Sequence, residues 1–169
     1  MSTTSSLQKT LWRQFGAAID TLENVIRACP ESLWSDRSRR PEFWYIAYHT
    51  IFWLDLYMSE GESEKDFRPP TPYTLTELDP DGRPERIYTL AELMDYLRYS
   101  RRKCKESIAR LTDESAHNRV APMRPQLTQL ELHMYTMRHV QHHAAQLNLV
   151  LRQVTDSATG WVSKTQEPL

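Results

Sequence analysis

Residues 43–58 read FWYIAYHTIFWLDLYM, and apolar side chains would cover nearly the whole circumference of a helix built from them. Thr50 and Asp55 interrupt this apolar surface. A helix of this kind is buried at the centre of a bundle or covered by a second subunit. Pro41 suits the first position of such a helix, where its missing N–H costs nothing. The sequence therefore predicts a central helix, and it leaves burial in a homodimer open as an alternative.

Three further segments have the pattern of amphipathic helices. Apolar residues recur three and four positions apart near the N-terminus, and Pro30 follows that series. Thr89 with Glu92, and Thr128 with Glu131, form the capping-box pattern that is typical of a helix N-terminus. The four predicted helices cover residues 5–28, 41–60, 89–112 and 128–154.

The connection between the second and third helices, residues 61–88, contains five prolines and is about twice as long as the other two connections. Short connections favour antiparallel neighbours, whereas a long one permits a parallel crossover. We therefore predict an all-α fold, a four-helix bundle in up-down-down-up order with a long crossover between helices 2 and 3. A chain of 169 residues fits one domain, so we take residues 1–169 as a single unit.

Composition excludes several classes of protein. With 21 basic and 22 acidic side chains, the net charge is -1, and there is no basic excess to bind a nucleic acid. No apolar run approaches the roughly 18 residues of a membrane span, and the N-terminus lacks the apolar core of a secretory signal. Two cysteines do not make a disulfide framework. We expect a cytoplasmic protein with neither a nucleic-acid nor a membrane partner.

Residues 138–147, RHVQHHAAQL, hold the candidate site. In a helix, His139 and His143 lie about 40° apart and one turn from each other, on the side that carries the apolar residues. Burying a polar ring without a partner costs roughly 1–3 kcal/mol, and a shared metal ion would satisfy both rings. His49 is the candidate third ligand from a neighbouring helix. Gln146 extends the inward row, where it would orient a ligand or a bound water, or only form a hydrogen bond within the bundle.

The other histidines have ordinary interpretations. His142 falls near the polar edge of the helix and is read as solvated, while His133 and His117 are read as residues without a ligand role. A lone HxxxH pattern is weak evidence, and plain core hydrogen bonding is the alternative for each ring taken singly. The pair, the third histidine and the all-helical pattern together favour the metal site.

Three nitrogen donors without a cysteine suit Zn²⁺ or Ni²⁺, with Fe²⁺ a weaker candidate. Di-iron carboxylate bundles instead need inward glutamates on several helices. Three protein ligands leave at least one position open for water or substrate, as in catalytic rather than structural zinc sites. The pattern therefore indicates a site at which chemistry can occur.

The sequence resembles the DinB family. The resemblance rests on His49 in an aromatic-rich second helix, on the HxxxHxxQ pattern of His139, His143 and Gln146, and on Trp161 in the tail. It implies an up-down-down-up bundle, usually dimeric, with a three-histidine site for zinc, nickel or a similar ion. Characterised relatives in the wider superfamily include transferases that join bacillithiol to electrophiles and a mycothiol-dependent maleylpyruvate isomerase. The resemblance gives no substrate pocket, because residues 61–88 match no family signature.

Three functional hypotheses follow. The first is a metal-dependent thiol S-transferase or related detoxification enzyme that acts on a low-molecular-weight thiol and an electrophile. The second is a non-catalytic metal or small-ligand binding protein of a stress response. The third is a helical scaffold without metal, whose apolar second helix serves a homodimer interface.

Overall fold

A computed structural model describes residues 5–59, 65–120 and 126–169. Within these ranges the regular structure is helical, apart from one isolated antiparallel bridge between Arg119 and Thr128. The α-helices are α1 (Ser6–Arg27), α2 (Glu31–Trp34), α3 (Phe43–Tyr57), α4 (Leu90–Arg110), α5 (Asp113–Ala116) and α6 (Gln129–Thr155), and a 3-10 turn spans Leu75–Leu78. The all-α class is thereby confirmed.

The predicted helix starts hold where a capping box defines them. Thr89 accepts a hydrogen bond from the backbone N–H of Glu92, and Thr128 accepts one from that of Glu131. The start of α3 differs from the prediction, because the helix begins at Phe43 rather than Pro41. Its N-cap residue has an extended backbone, with φ -69° and ψ 153°, so the chain enters the helix two residues later than expected.

The four long helices pack against one another in four pairs, with α1 against α4 and α6, and α3 against the same two helices. The apolar α3 is largely buried within this one chain. Thr50 and Asp55, the polar residues named above as interrupting its apolar surface, are fully buried as well. Thr50 donates to the backbone oxygen of Ile46, and Asp55 accepts hydrogen bonds from α4. The apolar surface of α3 is therefore explained without a second subunit.

The described part of the crossover, residues 65–88, packs against α3 and α4 through aromatic rings. Phe67, Tyr73 and Tyr88 are buried in the core. The Tyr73 ring stacks on Tyr96 of α4 with centroids 4.0 Å apart, and Tyr88 lies 5.0 Å from Tyr48 of α3. The crossover is thus part of the packed core, although the sequence shows no helical period there.

The C-terminal tail lies along α1 and α4. The Trp12 indole N–H donates to the backbone oxygen of Glu167, and the Glu167 carboxylate accepts from Arg101 and Lys105. Thr165 is buried, and its backbone N–H donates to the carbonyl of Arg13. The tail therefore closes one side of the helical core. None of the helices in the described ranges combines the length and hydrophobicity that crossing a membrane requires.

Candidate metal centre

Three histidine rings meet between α3 and α6. His49 lies in the middle of α3, and His139 and His143 lie one turn apart on α6. The Nε2 atom of His139 is 3.3 Å from that of His49 and 3.1 Å from that of His143. The candidate ligand atoms of all three lie within 4.8 Å of one another, so the cluster could hold a divalent metal ion. The residues singled out from the sequence are thus brought together.

The two Nε2–Nε2 distances fit a shared ion. Two imidazole nitrogens bound about 2.0–2.1 Å from one ion lie roughly 3.4 Å apart at a tetrahedral angle and about 2.9 Å apart at a right angle. The observed 3.1 and 3.3 Å fall between these limits. The backbones of α3 and α6 therefore already hold the rings at the separation that coordination requires.

Hydrogen bonds fix the protonation of two of the rings. Nδ1–H of His143 donates to Oε1 of Gln146 at 2.7 Å, and Nδ1–H of His49 donates to a carboxylate oxygen of Glu77. Because each Nδ1 carries the proton, each Nε2 presents its lone pair to the space between the rings. Two lone pairs thus converge on His139, which is the arrangement expected of metal-binding imidazoles.

His139 differs from the other two. Its Nδ1 atom is buried and has no hydrogen-bond partner among the described residues. A single proton on its Nε2 can be donated to only one of the two facing lone pairs, which leaves the other unsatisfied. An ion would satisfy all three Nε2 atoms, so the cluster is better completed by a cation than by hydrogen bonds among the rings.

The surroundings of His139 and His143 keep these two rings neutral. Burial, together with the neighbouring His143 and His49 rings, lowers the pKa of His139 to about 3. Burial also lowers the pKa of His143 to about 4, although the hydrogen bond to Gln146 opposes this shift. Neutral imidazole is the form that binds metals, so these two rings are in their ligand form at neutral pH without losing a proton.

Sequence reasoning missed Glu77 and Tyr45. Glu77 comes from the 3-10 turn in the crossover, and its side chain is only 4% exposed. The Tyr45 hydroxyl donates to the second carboxylate oxygen of Glu77 at 3.0 Å. Burial and the nearby Glu77 charge raise the pKa of Tyr45 to about 12, so it remains a donor. No periodic signal could have placed Glu77 beside His49, because the turn lies in an irregular segment.

An aromatic row continues from the cluster between α3 and α6. The Trp53 ring lies 6.3 Å from His49, Tyr57 lies 5.3 Å from Trp53, and Tyr135 of α6 lies 5.5 Å from Tyr57. Trp53 and Tyr135 are partly exposed. These rings provide an apolar surface next to the three nitrogens.

The remaining histidines match their ordinary interpretations. His142 is exposed. The ring of His133 is bonded at both nitrogens, to Ser107 Oγ at 2.8 Å and to the backbone oxygen of Gln129 at 2.7 Å. His117 is exposed at the end of α5. These three residues lie outside the three-histidine cluster.

Neither cysteine offers a nucleophile. Cys29 and Cys104 are both buried and unpaired. Burial, with a smaller contribution from Glu31, raises the pKa of Cys29 to about 12. Burial also raises the pKa of Cys104 well above its usual range. Because the thiolate is the reactive form, thiol chemistry in this protein would need a thiol from outside the chain.

Comparison with known proteins gives one result. No curated protein and no solved structure matches the chain significantly. The family model described as the DinB superfamily matches residues 14–147, well over half of the 169 residues. The matched region contains all three clustered histidines together with Gln146 and Glu77. The chain therefore belongs to the DinB superfamily.

Proposed function

We propose that this protein binds one divalent metal ion through His49, His139 and His143, and that it acts as a metal-dependent thiol S-transferase or related detoxification enzyme. The observation that carries the metal site is the convergence of three imidazole nitrogens, two of them with lone pairs fixed by Nδ1 hydrogen bonds. The transferase activity rests on membership of the superfamily and on the openness of a three-ligand site.

Zinc and nickel are the proposed ions, with iron a weaker candidate, because three neutral imidazoles without a thiolate suit these metals. A bound ion would supply one piece of chemistry, which is to lower the pKa of a thiol and favour its thiolate. The protein's residues would supply the rest. Gln146 orients His143, and the partly exposed rings of Trp53 and Tyr135 offer a surface for the apolar part of an electrophile.

Metal analysis tests the first part of the proposal. Protein purified without chelator or nickel resin should contain about one ion per chain, or take up one on titration with Zn²⁺ followed by calorimetry. His143→Ala should abolish this uptake. His142→Ala is the matched control, because that ring is the exposed neighbour of His143 on the same helix and should leave uptake unchanged. Uptake in His143→Ala equal to that of the unmodified chain would refute the site.

Thiol binding tests the second part. The zinc-loaded protein should bind a low-molecular-weight thiol, and the His143→Ala variant should not. Tight metal binding without thiol binding or turnover would favour the alternative, a non-catalytic metal or small-ligand binding protein of a stress response. Failure to bind zinc or nickel at all would favour a helical scaffold.

The same proposal includes the up-down-down-up order of the four long helices within a single domain. Two contacts are given for each pair of helices. Between α1 and α4 they are Gln8–Ala109 and Asp20–Arg101. Between α3 with the residues that follow it and α4 they are Asp55–Tyr96 and Ser59–Lys103, and between α3 and α6 they are His49–His139 and Tyr57–Tyr135. Residue numbers rise together along α3 and α4. They run in opposite directions in the α1–α4 and α3–α6 pairs. These directions support the proposed order.

We also propose that the protein is a homodimer. The proposal rests on the family resemblance and on apolar side chains that α6 leaves exposed. The cytoplasm is its proposed location. Met134 and Leu149 lie on the outer side of α6 and are each about half exposed. Light scattering of the purified chain tests the dimer, and a mass of one chain, 19.9 kDa, at micromolar concentration would refute it.

A further inference from the structure

We propose that Glu77 is a positioning residue of the metal centre, which holds the Nδ1–H of His49 so that Nε2 faces the ion. This inference rests on the proposed metal site and extends it to the crossover. Glu77 would act through His49 and would not bind the ion itself.

The contacts of Glu77 give the first argument. Its two carboxylate oxygens bond two residues of α3, since one accepts from Nδ1 of His49 and the other from the hydroxyl of Tyr45. Tyr45 and His49 are four residues apart, so their side chains project from the same face of the helix. Glu77 bridges that face and fixes both the tautomer and the orientation of the imidazole.

The charge of Glu77 gives the second argument. The side chain is almost fully buried, and among the described residues no lysine or arginine forms an ion pair with it. Arg83 lies over the Tyr45 ring but donates to Glu42 instead. A buried carboxylate without a cation is costly. A divalent ion on the far side of the His49 ring would supply the missing positive charge.

A comparison of the three rings gives the third argument. His143 is oriented by a neutral amide on its own helix, and the buried Nδ1 of His139 has no partner in the described ranges. Glu77 is therefore the charged group attached to this cluster, and a carboxylate partner increases the basicity of an imidazole ligand. Its loss should weaken metal binding more than the loss of the Gln146 amide.

The position of Glu77 also links the ion to the crossover. The 3-10 turn that contains Glu77 is held to α3 by its contact with His49 and by the hydrogen bond from Tyr48 to the carbonyl of Thr74. An ion that fixes His49 would strengthen the first of these attachments. Metal binding should therefore slow the opening of residues 75–78.

The test compares Glu77→Gln with Glu85→Gln in the full chain. Glutamine keeps the shape and an acceptor oxygen but removes the charge, and Glu85 is an exposed glutamate of the same crossover. Competition with a chromophoric chelator measures the Kd for Zn²⁺. We expect E77Q to weaken binding by about 10–100-fold and E85Q to leave it unchanged. Tyr45→Phe, which removes only the support of the carboxylate, should give a smaller loss in the same direction.

Two further measurements separate positioning from a purely structural role. In EDTA, the Tm of E77Q should be no lower than that of the unmodified protein, because the substitution removes an uncompensated buried charge. Hydrogen exchange at residues 75–78 should slow when Zn²⁺ is added to the unmodified protein and respond less in E77Q.

The outcomes are distinct. A Kd within about twofold of normal in both E77Q and Y45F, with zinc binding still lost in His143→Ala, would overturn the role of Glu77 and leave the metal site standing. Zinc binding that survives His143→Ala would overturn the site itself. An E77Q protein that is less stable in EDTA would assign Glu77 to the fold and overturn its positioning role.

Discussion

Replacing Lys103 by methionine should lower the stability of the protein, because it removes the buried ion pair with Asp55 that joins α4 to α3. The ammonium of Lys103 lies 2.6 Å from Oδ1 of Asp55 and 2.6 Å from Oγ of Ser59. Asp55 is fully buried, and its other carboxylate oxygen accepts from the Tyr96 hydroxyl at 2.9 Å. Methionine fills a similar volume, so the substitution removes the charge with little change in packing.

The expected loss follows from burial. Removing one partner of a buried ion pair costs about 3–5 kcal/mol, because the remaining charge stays in a region of low dielectric constant. The Lys103 side chain is 23% exposed and the Tyr96 hydrogen bond remains, so the lower end, about 3 kcal/mol, applies. For a domain of this size the loss corresponds to a fall in Tm of roughly 6–12 °C.

Urea unfolding at pH 7, followed by circular dichroism, measures this loss. Arg102→Met is the matched control, since the adjacent exposed side chain should change stability by no more than about 0.5 kcal/mol. Adding Asp55→Asn to Lys103→Met should recover much of the loss, because the amide needs no cation and can still accept from Tyr96. A loss below about 1 kcal/mol in Lys103→Met, or no recovery in the double variant, would refute the reasoning.

Three further predictions concern other parts of the molecule. A thiol reagent at pH 8 should modify neither Cys29 nor Cys104 in the folded protein and both in guanidinium chloride; rapid labelling of the folded protein would contradict their burial. A methyl group at Gly16 would lie 2.5 Å from Cγ2 of Thr165, so Gly16→Ala should displace the tail and cost about 1–3 kcal/mol in urea unfolding; a gain in stability would disprove this contact. The pKa of Glu92 is lowered from 4.5 to about 2, first by its hydrogen bond with Arg86. The stability difference between the unmodified protein and Glu92→Gln should therefore be complete above about pH 4.5 and vanish as the pH falls towards 2, and a pH-independent difference would argue against this ion pair.

The parts of the fold that the sequence predicts are those controlled by local rules. The capping boxes at Thr89 and Thr128 set the starts of α4 and α6 to within one residue. The start of α3 was predicted two residues too early, because Pro41 fits the first turn of a helix as well as it fits the segment before a helix. The extended backbone of Glu42 places Pro41 before the helix. The up-down-down-up order and the single domain stay predictions.

In the candidate site, too, the residues that could be predicted are those placed by local rules. His139 and His143 share a face because of helical geometry alone, and Gln146 reaches His143 from within the same turn. His49 required an assumption about which helix lies opposite. Glu77 could not be placed at all, because it depends on the path of an irregular segment whose aromatic side chains pack against α3 and α4. A homodimer depends on a second copy of the chain, and the identity of the ion depends on the ion itself. Both remain predictions.

The separation of the candidate ligands along the chain affects how the abundance of the protein depends on metal. His49 and His139 are 90 residues apart, so an ion between them would bind the folded chain more tightly than the unfolded one. At a free concentration one hundred times its Kd, such an ion adds about 2.7 kcal/mol to the stability of the fold. A difference of that size changes how often a chain unfolds and is degraded. The abundance of this protein would then follow the metal supply, falling in starvation even where its synthesis is constant.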